Sequence, residues 1–370
     1  MLAQMKKKKL AEGETIVDLS IGAPNIAPAP HILKALSEAC LVPDNYLYAI
    51  QDQQALLEAV SEWYARRYGV ELNPETEICS LLGSQEGLAH IALSIVDEGD
   101  VVLVPDPCYP VFADGPSLAG AELYYMPQRE ENHYIIDLKE IPEEVAQKAK
   151  FMIVSYPNNP TAVLAPDSFY EELIAFAKKY DIIVLHDNAY SELVFDGRTC
   201  GSFLRFPGAR EVGVEFLSLS KSFNVTGCRL SFLVGRADIV AAARKLRSQV
   251  DFGMFYPEQD AAIAALTGPR EQVEQQRMWY QERRDALCDG LEEIGWERPN
   301  AHGSMFVWAR LPHGRQDSMA FAAELMERAG VIVTPGASFG PAGEGFCRMA
   351  LTMPPEKIRE AVAAIAAAGM

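Results

Sequence analysis

Positive charge is scarce in this 370-residue chain: 33 lysines and arginines stand against 51 aspartates and glutamates, a formal net charge of −18. No broad basic field is left to neutralise phosphates, which argues against nucleic acid or an anionic membrane as a partner. The one basic run, Lys6 to Lys9, reads as a solvated helix face or a frayed terminus. Clustered cysteine is missing too. The seven cysteines are scattered and odd in number, with no CxxC pair and no Cys/His cluster, so neither a disulfide framework nor a metal site is expected. The expectation is a reduced, cytoplasmic protein with free thiols. No apolar stretch reaches transmembrane length, and no apolar leader segment opens the chain. Internal repeats and low-complexity segments are absent.

What is present points to a globular α/β protein. Apolar residues make up 49% and charged residues 23%, and a chain of this length buries a full core in one large domain plus a smaller one. Short apolar, β-rich runs recur at 78–82, 101–104, 122–126, 151–155, 182–185, 216–219 and 230–234. Most are continuous rather than alternating, as expected of strands covered on both faces. Helix-length segments such as 86–96 and 167–180 lie between them, which implies a mostly parallel sheet. After about residue 238 long charged helices take over, followed by a compact α+β pattern with strands at 305–311, 331–334 and 347–352 and helices at 318–329 and 355–368. The expected division is a large domain over 40–260 and a smaller one built from 1–39 and 261–370.

Four segments carry chemistry. Gly83-Ser84-Gln85-Glu86-Gly87 follows a strand and opens a helix, where free N–H groups favour a phosphate, although a plain helix cap reads the same way. Ser218-Leu219-Ser220-Lys221 ends an apolar strand with a lysine, either snorkelling to water or held as a low-pKa amine suited to Schiff-base chemistry. Arg229 stands eight residues on and offers a fork of donors for a dianionic phosphate. His186-Asp187-Asn188-Ala189-Tyr190 ends another strand, where ligands gather in open α/β sheets. Asp187 suits a metal, a general base or a partner for a pyridinium nitrogen, and His186 reads as a core or supporting histidine. Ser155-Tyr156-Pro157-Asn158-Asn159-Pro160-Thr161 is a rigid turn bearing two amide side chains.

In this order, together with Ile21-Gly22-Ala23-Pro24, Val104-Pro105-Asp106-Pro107-Cys108-Tyr109-Pro110, Pro335-Gly336-Ala337-Ser338-Phe339-Gly340 and Phe346-Cys347-Arg348-Met349-Ala350-Leu351, these segments resemble the class I/II aminotransferases dependent on pyridoxal 5'-phosphate (PLP). The resemblance spans nearly the whole chain. It implies the PLP-dependent transferase fold type I: an α/β large domain with a mostly parallel seven-stranded sheet, and a smaller α+β domain. It implies that Lys221 carries the cofactor as a Schiff base and that Asp187 keeps the pyridine nitrogen protonated. Asn159 and Tyr190 match the pair that hydrogen-bonds the phenolic oxygen, and Tyr109 the ring that stacks on the cofactor. Ser84, Gln85, Ser218 and Arg229 match the phosphate cup. Arg348 matches the arginine for the substrate α-carboxylate, and Gly22 a backbone contact near substrate. Tyr48 looks like the tyrosine lent by a second subunit, which implies a homodimer with shared active sites.

The chain departs from the family pattern at Ala162 and Ser231, where glycine is usual, at Cys228 for tryptophan, and at Gln53 and Glu58 beyond Tyr48. The helix that often precedes Ile21-Gly22 looks shortened. Asp251-Phe252-Gly253-Met254-Phe255 with Gln259 resembles the narrower group of LL-diaminopimelate and glutamate–pyruvate aminotransferases. The implied reaction moves an amino group between an L-amino acid (glutamate, alanine, aspartate or LL-diaminopimelate) and a 2-oxo acid by a ping-pong cycle. Arg247, near that segment, reads as a solvated helix arginine or as a group reaching a second carboxylate. The rival with the same fold and lysine is a PLP-dependent β-C–S lyase or another non-transaminating fold type I enzyme.

Overall fold

The computed structural model describes residues 2–370. Seven strands form one sheet in the order Ile78–Leu82, Leu230–Gly235, Gly213–Ser218, Ile183–Asn188, Ala149–Val154, Val101–Asp106, Glu122–Pro127. Leu230–Gly235 runs antiparallel to both its neighbours, and the other pairings are parallel. Six strands therefore end at one edge of the sheet, and the reversed one starts there. Their apolar residues are buried on both faces, in one core built on Trp63, Met152 and Phe232 and another on Phe112, Ile153 and Phe216. This is why the runs read as continuous rather than alternating.

Helices cover the sheet by turning an apolar stripe inward. In Asp167–Tyr180 the buried residues are Phe169, Tyr170, Leu173, Ile174 and Ala177, the spacing of one helical face. Gln54–Tyr68 buries Leu56, Leu57, Val60, Trp63 and Tyr64, and stops at Gly69, which takes the left-handed conformation at φ 68°. The segment expected as one helix over 86–96 is two, Ser84–His90 and Ala92–Ile95.

A separate core gathers Val17 and Leu19 with Tyr280, Leu287, Phe306, Phe321, Met349 and Ile358. Phe306–Arg310, Phe346–Ala350 and Thr334–Pro335 form a small antiparallel sheet there. The run expected as one strand over 331–334 divides. Val331–Ile332 pairs in parallel with Val17–Asp18, and Thr334–Pro335 pairs with Phe346–Ala350. Helix Tyr256–Thr267 packs instead against Pro30–Ala39 and Gln54–Tyr68. No helix among the described residues is long and apolar enough to cross a membrane.

Candidate active site

A cavity of about 420 Å³ opens where the strands end. Local chain chemistry delivers each side chain to it. Gly83 follows the Ile78–Leu82 strand at φ 91°, and a Cβ there would come within 2.6 Å of the Arg229 guanidinium carbon. Only glycine lets Arg229 lie across the start of the Ser84–His90 helix. Arg229 itself precedes the reversed strand at φ 53° and donates to the Thr226 carbonyl at 3.1 Å. Ser218 ends its strand and caps the Leu219–Ser222 turn through the Ser220 N–H, which raises Lys221 into the cavity.

Lys221 Nζ donates to the Gly22 carbonyl at 2.9 Å. Burial, with Arg229 and Arg348 adding repulsion, holds its ammonium down at about 8, although Asp187 opposes the shift. Asp187 lies at the end of Ile183–Asn188, and its Oδ1 is buried with no hydrogen-bond partner. Burial raises this carboxyl to about 7; Glu215 adds to the rise, while His186 and Lys221 work against it. Burial, then the charge of Asp187, also pushes the Tyr190 hydroxyl up. Tyr109 donates to Gln85 Oε1 at 2.8 Å.

Arg348 also lines the cavity. It donates to Asn159 Oδ1 at 2.8 Å, to the Ser20 carbonyl at 2.8 Å and to the Thr334 hydroxyl at 3.2 Å. Its Nε has no partner. The guanidinium carbon lies 4.2 Å from the Phe306 ring centroid and 4.8 Å from that of Phe339. Burial lowers Arg348 to about 10. Lys221, Arg229 and Arg348 thus face the one carboxylate of Asp187, so this cavity is cationic inside a chain of net charge −18. It suits a ligand with a phosphate, a basic ring nitrogen and a separate carboxylate.

Gly22, Ser84, Gln85, Tyr109, Asn159, Asp187, Tyr190, Ser218, Lys221, Arg229 and Arg348 all line this cavity. Tyr48 does not: it is exposed and packs against Phe252, with ring centroids 4.8 Å apart. Sequence reading missed Phe306, Ser220 and Thr226 as cavity walls. Ser220 sat inside a motif already singled out, and Thr226 lies in the stretch between Lys221 and Arg229 that none of the motifs covered. Phe306 carried no signal, because an aromatic in an apolar strand reads as core.

Arg247 is corrected on both of its readings. It is buried, pairs with Asp251 at 2.8 Å and donates to the Ser80 carbonyl, and it lines a second cavity rather than this one. Ala162 sits at φ 61°, the conformation that makes glycine usual there. Its N–H donates to Asn158 Oδ1 at 3.0 Å, and its carbonyl accepts from His302 and Gly303. The seven cysteines are free. No group of three His, Cys, Asp or Glu among the described residues could hold a metal.

Residues 14–365 match the family described as aminotransferase class I and II. The chain is 45% identical over 361 residues to an LL-diaminopimelate aminotransferase of Moorella thermoacetica, covering 96% of this chain and 92% of that one. It is 44% identical over 370 residues to an LL-diaminopimelate aminotransferase of Dehalococcoides mccartyi, covering 99% and 95%. Among solved structures, substrate-bound BacF from Bacillus subtilis superposes with a TM-score of 0.94 at 39% identity, covering 99% of this chain and 93% of that one.

Proposed function

Because the chain belongs to the class I and II aminotransferase family, we propose that it moves an amino group between LL-diaminopimelate and a 2-oxo acid, with PLP as cofactor. The substrate is taken from the relatives at 44–45% identity, which bear that name. One observation carries the chemistry: Lys221, Asp187 with its unpartnered Oδ1, and Arg348 with its unpartnered Nε line one cationic cavity. The residues present fit PLP. Arg229, Ser84, Gln85 and Ser218 offer donors for its phosphate, Asp187 an acceptor for its ring N–H, Asn159 and Tyr190 polar groups for its phenolic oxygen, and Tyr109 an aromatic face.

When bound, PLP supplies an aldehyde that condenses with amines and a protonated ring that takes up the electron pair released at the substrate Cα. The chain does the rest. At pH 8 about half of the Lys221 side chains are neutral, given a value of about 8. An ordinary lysine would be neutral about two orders of magnitude less often, so the cavity supplies a nucleophile and a base near neutral pH. Lys221 would then act as the base that takes the proton from the substrate Cα and holds it on Nζ for return as the acid. Arg348 holds the α-carboxylate, and Gly22 sets the near wall beside it. Asp187 keeps the ring nitrogen protonated because an unpaired buried carboxylate gains most from a cationic partner.

Tyr48, exposed beside Phe252, would complete the phosphate site of a second copy in a homodimer. The free thiols favour the cytoplasm. The test is initial-rate kinetics of PLP-loaded protein with LL-diaminopimelate and 2-oxoglutarate. Parallel double-reciprocal lines with glutamate as product are expected. Glutamate formed from other amino acids but not from LL-diaminopimelate would overturn the substrate.

A further inference from the structure

Alternation along the Ile183–Asn188 strand sends His186 and Asn188 to the side opposite Asp187. Both meet Glu215 there, the residue registered beside His186 on the next strand. Glu215 Oε2 accepts from His186 Nδ1 at 2.9 Å and from the Phe203 N–H at 2.8 Å. Oε1 accepts from the Tyr64 hydroxyl at 2.7 Å and from the Asn188 amide at 3.1 Å. Glu215 and His186 are wholly buried. Burial alone would raise the Glu215 carboxyl, but the donors His186, Tyr64 and Asn188 together bring it below the ordinary carboxylate range. The donors thus favour the carboxylate form of Glu215.

An ionised carboxylate with no exposure costs several kcal/mol of desolvation, and an apolar group of the same shape would often serve stability as well. The geometry shows what the carboxylate does that an apolar group cannot. It grips the residue before Asp187 with one oxygen and the residue after it with the other. The strand end that bears Asp187 is thereby pinned on both sides, while Ser155 Oγ donates to the Asp187 carbonyl at 3.0 Å.

We propose that Glu215 is a positioning residue for Asp187: by bridging His186 and Asn188 it fixes the strand end that presents Asp187 to the PLP ring nitrogen, an inference that rests on the role proposed above for Asp187. The titratable groups around Glu215 are Tyr64 and Tyr68 from Gln54–Tyr68, Tyr170 from Asp167–Tyr180, Cys200 from the segment beyond, and His186 and Asp187 from the neighbouring strand.

The experiment measures the PLP dissociation constant of the apoprotein and the pH midpoint of the lysine-bound PLP absorbance band. Glu215→Gln should weaken PLP binding about tenfold, as loss of supporting hydrogen bonds does at metal sites, and should move the midpoint. Tyr64→Phe removes a donor from the same carboxylate but no link to the Asp187 strand, and should leave both quantities at the parent value. If Glu215→Gln fails to fold, Asn188→Leu cuts one arm of the bridge and should weaken PLP binding severalfold. A parent that binds no PLP overturns both this inference and the role of Asp187. Variants that lose melting temperature yet bind PLP with the parent affinity and midpoint overturn this inference alone.

Discussion

Replacing Arg348 with alanine removes the cation assigned to the substrate α-carboxylate, and the structure sets the size of the effect. A guanidinium has five N–H donors. Three hydrogen bonds go to Asn159, Ser20 and Thr334, which leaves two donors, the Nε proton among them, for a ligand. Losing one partner of a buried, charge-assisted contact costs about 2–5 kcal/mol, or roughly 30- to 4,000-fold in affinity. Some of that loss would come from stranding Asn159 Oδ1. Arg348→Lys separates the two causes, because it keeps the charge and a donor but gives up the planar fork. The assay is the absorbance change of PLP-loaded protein at rising LL-diaminopimelate, with a primary amine lacking a carboxylate as control. The amino acid should bind far more weakly to Arg348→Ala and less weakly to Arg348→Lys, while the control amine is unaffected. Because burial brings Arg348 down to about 10, parent affinity should also fall as pH rises past that value. Equal amino-acid affinity in parent and Arg348→Ala would refute the assignment.

Other outcomes follow from the same geometry. Lys221→Met should abolish turnover and the lysine-bound band. The parent lysine is held at about 8 against an ordinary 10.5, so the unfolded chain binds more protons between those values. The parent apoprotein therefore loses stability as pH falls from 10.5 to about 8, and thermal melts of Lys221→Met should lack that loss. Asp187 has the opposite sense: its carboxyl is raised from 3.8 to about 7, so the parent apoprotein loses stability as pH rises through that window. Apo Asp187→Asn should match the parent near pH 4 and melt above it at pH 8. At Gly22 a Cβ would lie 2.8 Å from the Phe306 ring, which carries Arg348. Gly22→Ala should destabilise by about 1–3 kcal/mol through overpacking and raise KM for every amino acid, as melts and steady-state rates will show.

The large sheet was legible because strands buried on both faces leave continuous apolar runs, and each run expected has its strand. The site was legible because four chemical segments stand at strand ends, where an open α/β sheet collects its ligands. Breaks set by tertiary context were not. Val331–Pro335 has one apolar pattern but changes partner at Val333, a choice made by Val17–Asp18 and Phe346–Ala350, which are remote in sequence. Arg247 misled because a helix arginine reads as solvated unless its acceptors, here Ser80 and Asp251, are known. Glu215 was hidden for the same reason. A lone acid in an apolar strand is explained only by donors 12 to 151 residues away.

Whether this chain transaminates LL-diaminopimelate is decided by an absorbance titration of the purified, PLP-loaded protein with glutamate, alanine, aspartate and LL-diaminopimelate one at a time. LL-diaminopimelate should convert the lysine-bound band to that of the amine form, releasing one equivalent of the oxo product, and adding a 2-oxo acid should restore it. A band that no amino acid converts, together with thiol release from cystathionine in the absence of a 2-oxo acid, would contradict transamination and identify a lyase.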